Sequence, residues 1–421
     1  MADNNIKVPF SRPSLNEEEE KAVLDVVRSG WLTTGKVTLE FENEFSEFMN
    51  KGLPSNSDSN CATGDGSQTR NVISLAVNSN TSGMILAMDA CGVKPGTCVI
   101  TTPYTFVSTA ACAKHLGADV IFCDIEKDSY NIDADKIEQI LIENEKTHAK
   151  IIKAIVPVHI AGNVCNMKKI LELAKKYSTP QNKIYVIEDA AHSFPSLTPL
   201  GYAGTIGDAG VFSFYATKPL TTGEGGMVCT KDEGLAKHMQ MMRLHGMDRT
   251  TWDRYTSPKA SWQYDIVAPG FKFNLPDILS AIGRVQLKKT DAMFKGRKRI
   301  VDIYNKEFKN FDFLELPPDG QGNSWHLYLM RLKLEKLTID RDEFSRQLQQ
   351  NGIGVSMHFI PLFHFSYWQS LDTAFTKENF PNAENQFIRT ITLPLWPDMT
   401  EQMAYDTIEA VKKIGSENHV R

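Results

Sequence analysis

The chain has 421 residues, of which 46 are basic and 51 acidic, with 42% apolar and 23% charged side chains. That length exceeds one ordinary hydrophobic core, so two domains are expected, and the composition is that of a soluble globular protein. The slight acidic excess supplies no basic field for nucleic acid. No apolar run reaches bilayer-spanning length and the first residues lack a signal-peptide pattern, so no membrane is expected and the cytoplasm is the expected compartment.

In chain order, the first distinct segment is Lys51–Asn71, rich in Ser, Asn, Gly and Asp, which cannot form a core and reads as a loop. From there short apolar runs alternate with helical stretches. Val72–Val77 reads as a strand, Thr81–Ala90 as a helix, Val99-Ile100 as a strand and Phe106–His115 as a helix. Ala118–Cys123 and Ile151–Val158 are further strands with a helix between them, and Ile184–Ile187 is an apolar run closed by Glu188-Asp189. Such alternation predicts an α/β fold with a mostly parallel sheet, whose ligands collect at the carboxyl ends of the strands. After about residue 290 the pattern changes. Ala292–Phe308 predicts a long helix, Trp325–Leu332 a strand, and Arg341–Gln350 a helix closed by Asn351-Gly352. The expected division is 1–290 for a large domain and 291–421 for a smaller one. Seven scattered cysteines without a CxxC pair read as buried thiols, and no HExxH or paired Cys/His spacing suggests a metal.

Two segments carry chemistry. Glu188-Asp189-Ala190-Ala191-His192 places carboxylates at a strand end, and Ser213-Phe214-Tyr215-Ala216-Thr217-Lys218 places a lysine near a hydroxyl ahead of Gly223-Glu224-Gly225-Gly226. Taken singly, such a lysine is ordinarily a surface residue and such an aspartate a cap. Together they match the needs of pyridoxal 5'-phosphate: Lys218 to form the Schiff base, Asp189 to keep the pyridine nitrogen protonated, Ser213 to hold the phosphate. Asn80-Thr81-Ser82 opens a helix, whose free N–H groups and dipole suit a phosphate.

These segments, with Pro9-Phe10-Ser11-Arg12-Pro13, Ser29-Gly30-Trp31-Leu32-Thr33-Thr34-Gly35, Pro269–Leu275 and Leu393–Thr400, resemble the DegT-type sugar-nucleotide aminotransferases, of pyridoxal phosphate fold type I. The resemblance runs from about Val8 to Ile414. The opening motif is similar to that of members which aminate C4 of the sugar, such as those forming UDP-4-amino-4-deoxy-L-arabinose. The resemblance implies that Thr81, Ser82 and Ser213 bind the phosphate, that Phe106 stacks on the cofactor ring, and that His192 lies near the ring hydroxyl. It implies that Asn274 reaches the neighbouring subunit's cofactor in a homodimer with shared active sites, and that Thr33, His159 and His326 contact substrate. L-glutamate is the implied donor and a nucleotide-linked keto sugar the acceptor, for surface polysaccharide or amino-sugar biosynthesis.

The chain departs from the family pattern at three points. Asn80 stands where Gly is usual, and a left-handed turn would tolerate it. Pro276 stands where many relatives have Arg, and Asn166 where they have Asp. Residues 51–71 look like an insertion. The competing activities are amino transfer to C3, or sugar dehydration on the same fold; dehydratases carry His at the position of Lys218, which favours amino transfer.

Overall fold

A computed structural model describes residues 6–54, 71–248, 264–372 and 375–420; most of the 51–71 loop lies outside them. The strands are β1 (Ile73–Val77), β2 (Thr97–Thr101), β3 (Asp119–Phe122), β4 (Ile151–Ile155) and β5 (Tyr185–Asp189). A short ribbon follows, β6 (Leu197–Thr198) with β7 (Gly201–Tyr202), and then β8 (Ala209–Ser213) and β9 (Gly226–Thr230). Seven of them form one sheet in the order β1-β9-β8-β5-β4-β2-β3. From β8 through β3 every pairing is parallel, and β9 alone runs against its two neighbours.

The reversed strand has a local cause. Parallel neighbours need a crossover, usually a helix, whereas residues 214–225 contain none and turn back on themselves. Phe214 N–H donates to the Gly225 carbonyl (2.9 Å) and Thr222 N–H to the Phe214 carbonyl (3.0 Å). Lys218 is thereby held on a pinned loop just past the carboxyl end of β8.

Helices cover both faces, as the apolar runs of the central strands require. Helix α1 (Glu17–Ser29) starts with a reciprocal cap between Asn16 and Glu19, and α2 (Lys36–Asn50) buries Phe41, Phe45 and Met49. Helix α3 (Asn80–Ala90) is buried along nearly its whole length. No helix among the described residues is long and apolar enough to cross a membrane.

The last third of the chain builds a second core. An antiparallel sheet, β10 (Leu314–Glu315), β11 (Tyr328–Leu332) and β12 (Thr390–Leu393), packs against the helices Thr290–Phe308, Arg341–Gln350 and Glu401–Glu417. Ile300, Tyr304, Phe308, Tyr328, Phe344, Ile391 and Val411 fill it. Val8 belongs to this core too, bridged in parallel to Ile353, so the chain's start is part of its C-terminal unit. The expected strand Trp325–Leu332 begins only at Tyr328, because Trp325 takes a left-handed conformation (φ 50°). The expected strand Ile151–Val158 ends at Ile155, before Pro157.

One carboxylate joins the N-terminal helices to the later chain. Asp277, buried at the start of helix Asp277–Lys288, accepts from Gly35 N–H (2.7 Å), Thr38 N–H (2.9 Å), the Thr38 hydroxyl (2.6 Å) and Val37 N–H (3.2 Å). It caps α2 from a distant point in sequence, since Gly35 has no side chain to do so. Asp277→Ala is expected to lower stability by about 2 kcal/mol or more, read as a lower urea midpoint at unchanged m-value. Asp277→Asn, which keeps one acceptor oxygen, should lose less.

Candidate active site

Successive residues of a strand point to opposite faces, and β5 ends with a carboxylate on each. Glu188, fully buried, accepts from His159 Nε2 (2.9 Å), Gly204 N–H (2.9 Å), Ile206 N–H (2.7 Å) and Gly207 N–H (2.7 Å). Burial pushes its pKa up, but His159 and the loop N–H groups outweigh that and leave it below the usual range. Asp189 is nearly as buried with fewer donors: Thr109 Oγ1 (2.7 Å), Ala191 N–H (3.2 Å) and Asn80 Nδ2 (3.4 Å). Here burial prevails and the pKa is raised, with Thr109, Ala191 and the charge of Lys218 pulling the other way.

Lys218 is half-buried, and among the described residues no hydrogen bond or ion pair holds its amine. Burial lowers its pKa to about 8, against the opposing pull of Asp189. An amine whose neutral fraction is raised near physiological pH is a readier nucleophile and base than an ordinary lysine.

Three imidazoles surround it. His192 Nδ1 accepts from Ala161 N–H (3.3 Å), so the ring hydrogen sits on Nε2. Its ring stacks on Phe359 (5.4 Å between centroids) and meets His326 edge-on (4.6 Å) and His358 at 6.3 Å. Burial, and then the charge of Lys218, pushes the pKa of all three down, that of His358 to about 3. Ala161 sits in a left-handed turn (φ 60°) that gives its N–H to His192 and its carbonyl to the His326 N–H (3.0 Å).

The start of α3 differs from expectation. Asn80 is the first helical residue rather than a left-handed turn, and its amide donates to the Val211 carbonyl (3.0 Å) and to Asp189. Ser79 caps the helix by accepting from Ser82 N–H (3.1 Å), and the Ser82 hydroxyl donates to Asn78 (2.5 Å). Ser82 is therefore already engaged. The N–H groups of Asn80 and Thr81 and the Thr81 hydroxyl have no protein partner among the described residues, and they are what this terminus offers an anion.

Ser213, at the end of β8, accepts a long bond from Tyr215 N–H (3.4 Å) and keeps its own proton to donate. Phe106 is 58% exposed, its ring 6.1 Å from that of Phe359. Asn274 pairs with Val77 at the end of β1, donates to Thr34 Oγ1 (2.5 Å) and accepts from Lys272. Exposed Thr33 lies beside it, its carbonyl accepting from Asp277 N–H (3.3 Å). His159, expected at the substrate, is wholly buried in the layer of Glu188. Its Nδ1 accepts from Cys165 N–H (3.2 Å) and its Nε2 donates to Glu188, so no ring nitrogen is left for a ligand. Asn166 caps the helix Met167–Tyr177, as its swap for Asp allows.

The structure thus brings Lys218, Asp189, His192 and His326 together, with the α3 terminus joined to Asp189 through Asn80. Thr109, His358, Phe359 and Arg297 join them without having been singled out in the sequence. These residues fit pyridoxal phosphate: an unpaired amine, a buried carboxylate for the ring nitrogen, and unclaimed N–H groups for the phosphate. Gly226 fits as well, because a β-carbon there would lie 2.9 Å from Asn80 N.

Two outcomes follow from this geometry. Acetic anhydride labelling of the cofactor-free protein is expected to modify Lys218 with a midpoint near pH 8, while exposed lysines respond only at higher pH. Asn80→Ala leaves the Val211 carbonyl and Asp189 each short of a donor, and should cost about 1–3 kcal/mol in a denaturant titration.

Comparison with known proteins gives one answer. The DegT/DnrJ/EryC1/StrS aminotransferase family matches residues 13–62 and 67–412, leaving out only 63–66 of the expected insertion. The chain is 38% identical over 410 residues to the spore coat polysaccharide biosynthesis protein SpsC of Bacillus subtilis, covering 97% of each. Among solved structures, the PMP form of the putative sugar aminotransferase Spr1654 of Streptococcus pneumoniae superposes with a TM-score of 0.84 at 29% identity, over 98% of this chain and 100% of that one. PseC of Helicobacter pylori, an aminotransferase of pseudoaminic acid biosynthesis, gives 0.82 at 27%, over 97% and 99%. A match of this extent, on a fold whose lysine and aspartate stand as described, makes the chain a member of the DegT/DnrJ/EryC1/StrS family, the pyridoxal phosphate-dependent sugar aminotransferases.

Proposed function

We infer that this aminotransferase moves the amino group of L-glutamate to C4 of a nucleotide-linked 4-keto sugar, in the assembly of a surface polysaccharide or related amino sugar. The observation that carries the reading is the unpaired Lys218 amine, with its pKa lowered to about 8, beside the buried Asp189. The similarity to SpsC and PseC supports the class of product, and the opening motif from Pro9 to Gly35 supports C4.

When bound, pyridoxal phosphate supplies the electron sink that loosens the α-hydrogen of an amino acid. Thr81 and Ser213 hold the phosphate, and Ser82 joins them once Asn78 releases its hydroxyl. Asp189 holds the proton of the ring nitrogen, and Thr109 and Asn80 orient Asp189. Phe106, now more than half exposed, covers the ring face, and His192 offers its Nε2 hydrogen to the ring hydroxyl. Lys218 Nζ takes the proton from the donor's α-carbon; burial serves this step by raising the neutral fraction of the amine. His326 lies beside Lys218 on the substrate side. Asn274 and Thr33 complete the partner subunit's site in a cytoplasmic homodimer. Residues 1–290 form the cofactor-binding domain and 291–421 the smaller one, to which Val8 returns.

The test is spectroscopic. L-glutamate should bleach the visible absorption of the holoenzyme, and the correct nucleotide 4-keto sugar should restore it. A band indifferent to glutamate, or restored only by 3-keto sugars, would overturn the donor or the position. Lys218→Ala is expected to slow both half-reactions by about 10³-fold or more.

A further inference from the structure

The helix Thr290–Phe308 buries a guanidinium that nothing among the described residues balances. Arg297 is 3% exposed, and among the described residues no hydrogen bond or ion pair reaches any of its nitrogens. Its Nε is one of few buried polar side-chain atoms left without a partner. Burial alone pulls its pKa down to about 10. Buried charges are ordinarily paired, and a cation left without a partner calls for an explanation, of which a bound anion is one.

The surroundings say which ligand. Arg297 and Lys218 line one cavity, together with His326 and with Arg12 from the N-terminal segment, and among the described residues no aspartate or glutamate lines it. Arg12 is exposed and likewise unpaired among the described residues. Trp396 and Leu395 give the cavity apolar walls, suited to a small aliphatic anion rather than a hydrated one. The planar fork of a guanidinium matches the two oxygens of a carboxylate.

We propose that Arg297, with Arg12 at the mouth, seats the α-carboxylate of the amino-acid donor beside Lys218. In an α-amino acid the carboxylate and the amine share one carbon, so a cation next to Lys218 is placed where that carboxylate must fall. A nucleotide sugar carries its phosphates across the ring from a keto group at C4, and has no negative charge at that place. The two cations therefore favour the donor half-reaction and are indifferent to the acceptor. The assignment rests on the transaminase reading given above.

The experiment is calorimetric titration of the holoenzyme with glutarate, inorganic phosphate and UDP, in the wild type, Arg297→Gln, Arg297→Lys and Arg12→Ala. Glutarate carries carboxylates but no amine, so binding does not depend on turnover. The expected result is glutarate binding weakened tenfold or more in Arg297→Gln, less in Arg297→Lys, and severalfold in Arg12→Ala, with UDP binding unchanged. In single-turnover kinetics the glutamate half-reaction should need correspondingly more donor, while the keto-sugar half-reaction keeps its rate. Arg12 is exposed, so its variant reports even if Arg297→Gln fails to fold. Glutarate binding unaltered in the folded variants, or a loss that falls on UDP or phosphate instead, overturns the proposal. Arg297-dependent glutarate binding in an enzyme that transfers no amino group supports the seat and sinks the transaminase reading.

Discussion

The active face of the sheet depends on a carboxylate that faces away from it. Glu188 gathers four donors from two places: the imidazole after β4 and the backbone of the 204–207 turn that leads into β8. An ionised group this deep persists only when its lone pairs are taken up by fixed donors. Those donors fix how the carboxyl ends of β4 and β5 sit against the turn that starts β8. Gly204 and Gly210 let the turn lie against β8, since a β-carbon on Gly210 would meet the Gly204 backbone at 2.2 Å. With Glu188 saturated, Asp189 leaves the other face in one orientation and is left short of donors. Two adjacent carboxylates on one strand thus reach opposite electrostatic states. One is spent on architecture, the other is available.

Around that available carboxylate the charge is lopsided. Lys218 acts on it directly, and Lys218 shares a cavity with Arg297, Arg12 and His326, one of three imidazoles whose pKa values all lie below the ordinary histidine range. The chain as a whole is slightly acidic, so the positive character of this cleft is a local arrangement. Uncharged imidazoles let a cleft be polar without adding to the repulsion among its cations, and they present hydrogen-bond donors whose positions are fixed by the ring tautomer. His192 is the clearest case, its tautomer set by the strained turn at Ala161.

Much of this was legible in the sequence, for definite reasons. Alternating apolar runs and helical stretches gave the doubly covered sheet, because strand and helix periods differ and the runs are short. The pair Asp189 and Lys218 stood out because both lie beside turn signals at strand ends. What was hidden depends on contacts between distant residues. The reversed direction of β9 follows from the folded loop before it and leaves no mark in the composition of Gly226–Thr230. Thr109 looked like one more small residue in a helix, and His358 and Phe359 come from an irregular stretch of the C-terminal unit. Asn80 was read from its backbone tolerance, whereas its side chain is what the fold uses. His159 was assigned by position in a motif, and only burial shows both its nitrogens committed. Arg297 lay within a basic helix whose neighbours, Lys298 and Arg299, find partners at Asp302 and the Met399 carbonyl. Only the structure shows that Arg297 finds none among the described residues.

The pairing of Val8 with Ile353 has a consequence for how the molecule is made. The ribosome releases residue 8 long before residue 353, so Val8 has no second core to join until the residues that build it have followed. The sheet-forming residues between them can collapse earlier as a unit. During that interval the Arg12 segment has no dock, and the cleft stands open on one side. Functional competence should therefore arrive late, when the segment around Val8 finds Ile353.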